Sequence, residues 1–136
     1  MISKVYNEND NRPKSLEDEF SQIGVDFDGV IHGCSKGYHD GTIYDSPIEG
    51  TYKALSELSG KYTIIVYSAK ARSDRPLVNG KTGVELIWEW LERYDMKKFV
   101  NDVTAEKPRA IFYIDDRAIR FTNWNSCMET IEGIQR

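Results

Sequence analysis

The chain has 136 residues, 40% apolar and 29% charged, the length and mixture of one globular domain. With 22 acidic and 18 basic residues its net charge is -4, which weighs against global attraction to nucleic acid and leaves only a local basic patch for it. There is no apolar run long enough to span a membrane and no apolar stretch of a secretory signal at Met1–Ser15. The two cysteines, Cys34 and Cys127, are too far apart for a zinc or disulfide framework; the expected setting is a reducing cytoplasm.

Residues 1–14 are polar and read as a flexible arm, leaving 15–136 as a single domain. Ser15 to Asp18 has the spacing of a capping box, so a short helix is expected there. Ile23-Gly24-Val25-Asp26-Phe27 has the character of a strand and ends in the turn dipeptide Asp28-Gly29. Val30–His32 and Thr42–Tyr44 are expected to pair as a β-hairpin around Asp40-Gly41. Ser46, Pro47 and Glu49 suit a helix start, with Ile48, Tyr52, Leu55 and Leu58 on one face and Gly60 at the end.

Tyr62–Tyr67 is β-branched and almost continuously apolar, as strands buried on both faces are. Residues 68–82 form a loop carrying Lys70, Arg72 and Arg75. Thr82 and Glu85 make a capping box for a helix that turns Val84, Ile87, Trp88 and Leu91 inward. Trp90, opposite Trp88, is the tryptophan expected at the surface or at a subunit contact. Phe99–Val103 predicts a short strand and Ala110–Ile114 a strong one, running into Asp115-Asp116. Ile119–Phe121 predicts a short last strand and Asn125–Ile131 a closing helix. This alternation predicts an α/β fold, a three-layer sandwich around a mostly parallel, Rossmann-like sheet.

The chemistry gathers at strand ends. Asp26 and Asp28 stand two apart on extended chain, so both carboxylates lean to one side. Asp115 and Asp116 end another core strand in the same way. In a parallel sheet the two pairs would meet at one edge, a density of hard oxygens that suits Mg²⁺. Asp-Gly is also ordinary turn chemistry, and Asp115-Asp116 could pair with Arg117 and Arg120 instead. Ser68 ends the second strand, where a hydroxyl and the next backbone N–H, that of Ala69, can bind a phosphate oxygen. Lys107 precedes the strand that carries Asp115.

Taken in order, Asp26-Phe27-Asp28-Gly29, Ser68, Lys107 and Asp115-Asp116 resemble the motifs of the haloacid dehalogenase superfamily, over about 95 residues. Receiver domains use similar parts, but with the acidic pair first and the lysine last. The resemblance implies a hydrolase: a Mg²⁺-dependent phosphatase working through an aspartyl-phosphate, with Asp26 as nucleophile and Asp28 as acid and base. It also implies Mg²⁺ on Asp26, Asp28, Asp115 and Asp116, and a phosphorylated substrate held by Ser68, Ala69, Lys107 and Gly29. Either Lys70 or Arg72 would face that site.

The 18 residues between Asp28 and Pro47 and the 38 between Ser68 and Lys107 leave no room for a cap domain. The site is then open, covered by the hairpin flap alone, and suits a large substrate. His32 is a candidate pocket residue, whereas His39 reads as a surface loop histidine. Two alternatives accompany this reading: a phosphatase acting on polynucleotide ends, supported by the Lys70–Arg75 loop, and a non-catalytic phosphate- or metal-binding module of the same fold.

Overall fold

The computed structural model describes residues 21–134. The N-terminal arm and the Ser15 capping box lie outside them. Four strands form one wholly parallel sheet: β1 (Gln22–Asp26), β2 (Thr63–Tyr67), β3 (Asp102–Thr104) and β4 (Tyr113–Ile114), in the order β3-β2-β1-β4. Among the described residues three helices accompany them: α1 (Thr51–Ser59), α2 (Gly83–Arg93) and α3 (Trp124–Glu132). Single 3-10 turns occur at Ala69–Ala71 and Lys97–Phe99. No helix among the described residues is long and apolar enough to cross a membrane.

The expected α/β class and parallel sheet are therefore present. β1 and β2 are central, and Ile23 and Val25 with their register partners Ile64 and Val66, alternate residues that share one face of the sheet, are almost wholly buried. Gly24 in β1 lets β4 approach: a Cβ there would stand 2.7 Å from Cδ1 of Tyr113. The Thr82–Glu85 capping box forms as expected, with the Glu85 N–H donating to Thr82 Oγ1 (3.2 Å) and the Thr82 N–H to the Glu85 carboxylate (3.0 Å).

Several expectations are corrected. Among the described residues no hairpin joins 30–32 to 42–44. The N–H groups of Ile31 and His32 both turn back to the Phe27 carbonyl, and Cys34, Gly37, His39 and Gly41 all have positive φ. A chain with four left-handed residues in eight cannot extend into paired strands. His32 instead bridges to Pro47 and the Ile48 N–H donates to the Ile31 carbonyl. This pairing takes up the residues expected to start the helix, so α1 begins four residues later, behind Gly50 at φ 90°.

Trp90 is core, at 1% exposure. It meets Phe27 edge-on at 5.2 Å and donates its indole N–H to the Asp45 carbonyl at 3.0 Å, so the long loop buries the helix face opposite Trp88. The Ala110–Ile114 strand shrinks to Tyr113–Ile114, although Ile111 and Phe112 still bond to β1 backbone. It is an edge strand, and Phe112 and Tyr113 are partly exposed. The expected Ile119–Phe121 strand does not form, and α3 carries no buried residue.

Candidate metal and anion site at the carboxyl edge of the sheet

Register places the acidic residues. Val25 pairs with both Val66 and Ile114. One residue further along, three neighbouring parallel chains present Asp26, Tyr67 and Asp115 side by side. This is where the strand order reverses, with β2 and β3 on one side of β1 and β4 on the other, the usual ligand crevice of an open α/β sheet. Asp26, Asp115 and Asp116 each bring an oxygen within 4.8 Å of the others. Asp115 is held by the Tyr67 hydroxyl (2.7 Å) and the Arg117 N–H (2.8 Å), not by the guanidinium groups considered from sequence. Asp116 reaches in over Gly29, where φ is +87° and a Cβ would stand 2.2 Å from Asp116 Oδ2. Gly29 therefore serves the site as backbone that must carry no side chain.

The two carboxylates of Asp-x-Asp titrate in opposite directions. Asp26 is pushed up to about 7 by burial, by the Asp115 charge, and by hydrogen bonding to and charge on Asp116. Burial would also raise Asp28, but hydrogen bonds from His32 and Lys70 and the Lys70 charge outweigh it and hold it below the usual carboxylate range. Lys70 Nζ stands 2.9 Å and His32 Nδ1 2.8 Å from the same Asp28 oxygen. His32 Nε2 accepts from the Asp45 N–H at 3.0 Å, which fixes the donor proton on Nδ1. Asp115 is also lowered, chiefly by the Arg117 N–H and the Tyr67 hydroxyl, against the cost of its burial, with help from the Lys107 charge.

A cavity of about 530 Å³ opens over this edge. Of the residues singled out from sequence, Asp26, Asp28, Gly29, Ser68, Ala69 and Asp116 all line it. Asp115 lies beside it within the carboxylate group. Lys107 does not line it: its Nζ sits 4.2 Å from the centre of the Tyr113 ring, over the edge strand. The buried lysine of the site is Lys70, 3% exposed, while Arg72 turns outward to a two-pronged pair with Asp74. His32 is wholly buried, so it holds Asp28 in place rather than lining the cavity.

Sequence reasoning missed Tyr67 as the partner of Asp115, and Cys34, Tyr38 and Arg117 as cavity residues. Tyr67 was legible as the strand residue level with Asp26; the other three depend on loop paths that carry no periodic signal. Asp28, His32 and Cys34 also bring ligand atoms within 4.8 Å of one another. There Asp28 is bound by Lys70, and both His32 nitrogens are engaged, so this group is a closed hydrogen-bond cluster.

No protein-family model matches the chain, and no solved structure matches it. Among curated proteins it is similar to the leucyl/phenylalanyl-tRNA--protein transferase of Pectobacterium carotovorum subsp. carotovorum (strain PC1), with 42% identity over 59 residues. That stretch is 43% of this chain and spans 23% of the length of the relative.

These findings correct the sequence reading. The relative is a transferase by name, and nothing found points to the haloacid dehalogenase superfamily. Membership in that superfamily, and the Mg²⁺-dependent phosphatase (hydrolase) activity drawn from it, do not stand. The aspartyl-phosphate came with the resemblance and falls with it; what the structure shows of Asp26 and Asp28 is their place in the cavity wall. The physical reason is that parallel sheets collect carboxylates, hydroxyls and lysines at their strand ends for many kinds of chemistry.

Proposed function

We propose that the carboxyl edge of the sheet binds a divalent cation, Mg²⁺ first, and through it a phosphate-bearing ligand. The observation that carries this reading is the convergence of Asp26, Asp115 and Asp116 within 4.8 Å. The donor set fits the ion. All three offer hard oxygen, and without a cation the group relieves its repulsion by keeping a proton on Asp26 up to about pH 7. Mg²⁺ would neutralise this floor and polarise a phosphate oxygen bound to it.

The chain's own groups would orient the rest of the ligand. Ser68 Oγ accepts the Lys70 N–H at 3.1 Å, which leaves its hydroxyl proton free to point into the cavity. The Ala69 N–H opens the 3-10 turn beside it. Lys70 keeps Asp28 ionised and hydrogen-bonded, so that Asp28 shapes the wall beside the floor. Calorimetric titration with Mg²⁺, and then with inorganic phosphate in its presence, tests the reading. Phosphate that binds wild type only with Mg²⁺, and no Mg²⁺ binding to Asp115→Ala, are the expected results. Absence of Mg²⁺ binding to wild type refutes the reading.

A second reading rests on the relative, whose name couples leucyl- or phenylalanyl-tRNA to transfer onto protein. A tRNA is a phosphate-bearing ligand, so this reading concerns the same cavity and adds a reaction, acyl transfer. Incubation with labelled leucyl-tRNA and a protein acceptor tests it: label appearing in the protein supports it, and its absence with intact leucyl-tRNA present counts against it.

A further inference from the structure

Resting on the cavity as a cation and phosphate site, we infer that Arg75 and Arg117, which both line it, form a second anion subsite. The ligand then carries two adjacent phosphate-type groups rather than one. Both arginines line the same cavity as Asp26, Asp116 and Ser68. Arg75 is placed for recognition: its guanidinium carbon lies 4.1 Å from the centre of the Tyr38 ring, and Tyr38 is itself a cavity residue. Stacking of this kind holds the planar fork in one orientation and lowers the entropy cost of binding an anion.

Asp74 feels the Arg75 charge, but among the described residues no carboxylate is ion-paired to that fork. Asp74, the carboxylate nearest to Arg75 in sequence, is gripped by Arg72 at 2.6 and 3.0 Å. Lys70, the buried cation beside the site, is committed to Asp28. The cavity wall thus carries both the carboxylates and two guanidinium groups. A single phosphate on a cation at the floor would satisfy the carboxylates and Ser68 and leave the guanidinium groups unused. A cavity of about 530 Å³ has the size of a whole small-molecule ligand and far exceeds one phosphate. Two linked anions would engage the carboxylate-held cation and the guanidinium groups together, as in a diphosphate or in successive phosphates of a polynucleotide.

Binding measurements in saturating Mg²⁺ test this with three probes: inorganic phosphate, methylenediphosphonate and the 5′-phosphorylated dinucleotide pTpT. Wild type is expected to bind at least one two-anion probe about tenfold or more tightly than phosphate, the scale of a charge-assisted bidentate contact. The preferred probe tells a diphosphate from a polynucleotide spacing. Arg75→Gln should collapse that ratio, and Arg75→Lys, which keeps the charge but loses the fork, should restore only part of it. Phosphate binding with no two-anion preference, or a preference that Arg75→Gln leaves intact, overturns the subsite alone. No Mg²⁺-dependent phosphate binding in wild type overturns the cavity reading and this inference with it.

Discussion

Replacing Asp26 by asparagine keeps the shape of the side chain and removes its charge, and the consequence depends on pH in a way the structure fixes. The folded-state pKa of Asp26 is raised from its ordinary 3.8 to about 7. Between these values the folded chain holds a proton that the unfolded chain has released. The stabilisation this brings is fully present below the unfolded value and is lost as pH rises through about 7. A displacement of that size corresponds to about 4 kcal/mol at full strength. Asp26 is only half-buried, and solvent screening brings the figure to about 2 kcal/mol.

Urea unfolding of metal-free wild type and Asp26→Asn, at about pH 5 and about pH 8.5, isolates this contribution, because every other group titrates in both proteins. The variant should gain about 1 kcal/mol on wild type between the lower and the higher pH, because at about pH 5, above the unfolded value of 3.8, wild type has already lost part of this stabilisation. Mg²⁺ should then stabilise wild type by roughly 2.7 kcal/mol at 100 times its dissociation constant, with tighter binding at the higher pH, where no proton must leave first. A stability difference between the two proteins that is the same at both pH values would refute the carboxylate cluster as the source of the Asp26 shift.

Asp115→Ala removes the largest charge acting on Asp26, so the Asp26 pKa, followed by carboxyl carbon NMR, should drop clearly from about 7 and the Mg²⁺-induced rise in Tm should vanish. Gly29→Ala combines a φ of +87° with a Cβ 2.2 Å from Asp116 Oδ2, and should cost about 1–3 kcal/mol and weaken Mg²⁺ binding in calorimetry. Gly50→Ala, with φ +90° and nothing within 4 Å, should incur a backbone cost with no change in Mg²⁺ affinity. Lys70→Met strips Asp28 of its buried partner and should cost about 2–4 kcal/mol near neutral pH by denaturant unfolding. Since the Asp28 pKa is lowered in the fold, that stabilisation is present above its unfolded value, and the gap to wild type should close as pH falls through the folded value.

The sheet was legible because its evidence is local and periodic. Ile23-Gly24-Val25 and Thr63–Tyr67 are apolar runs of strand length, and Thr82–Glu85 is a helix start whose partners are three residues apart. The carboxylates were legible too, because their position follows from where a strand stops. The path between them was not. Phe27 to His32 curls back on one carbonyl, and the loop after it closes around the His32 ring, which lies between Asp28 and the Asp45 N–H. These contacts join residues 4 and 13 apart through one buried imidazole, and no periodicity announces them. Lys107 and Lys70 exchanged roles for a similar reason. Lys107 precedes its strand and stacks on the edge tyrosine, whereas Lys70 follows Ser68 and is turned inward by the 3-10 turn.

That turn explains how two carboxylates, two residues apart on the same side of one strand end, come to differ. Gly83 opens α2 directly against it: a Cβ on Gly83 would stand 1.5 Å from the Lys70 carbonyl oxygen. The capping box at Thr82 fixes where α2 begins, the close approach of Gly83 fixes the turn, and the turn holds Lys70 Nζ on Asp28. Asp28 therefore stays ionised without any metal. Among the described residues no cation pairs with Asp26; it faces Asp115 and Asp116, both of the same sign. The fold thus compensates one carboxylate with an internal lysine and leaves the other to a proton or an added cation. An internal cation on Asp26 as well would satisfy the cluster permanently and close it to Mg²⁺. On the proposed reading, the separation of the two carboxylates is what would leave the sheet edge open to a cation.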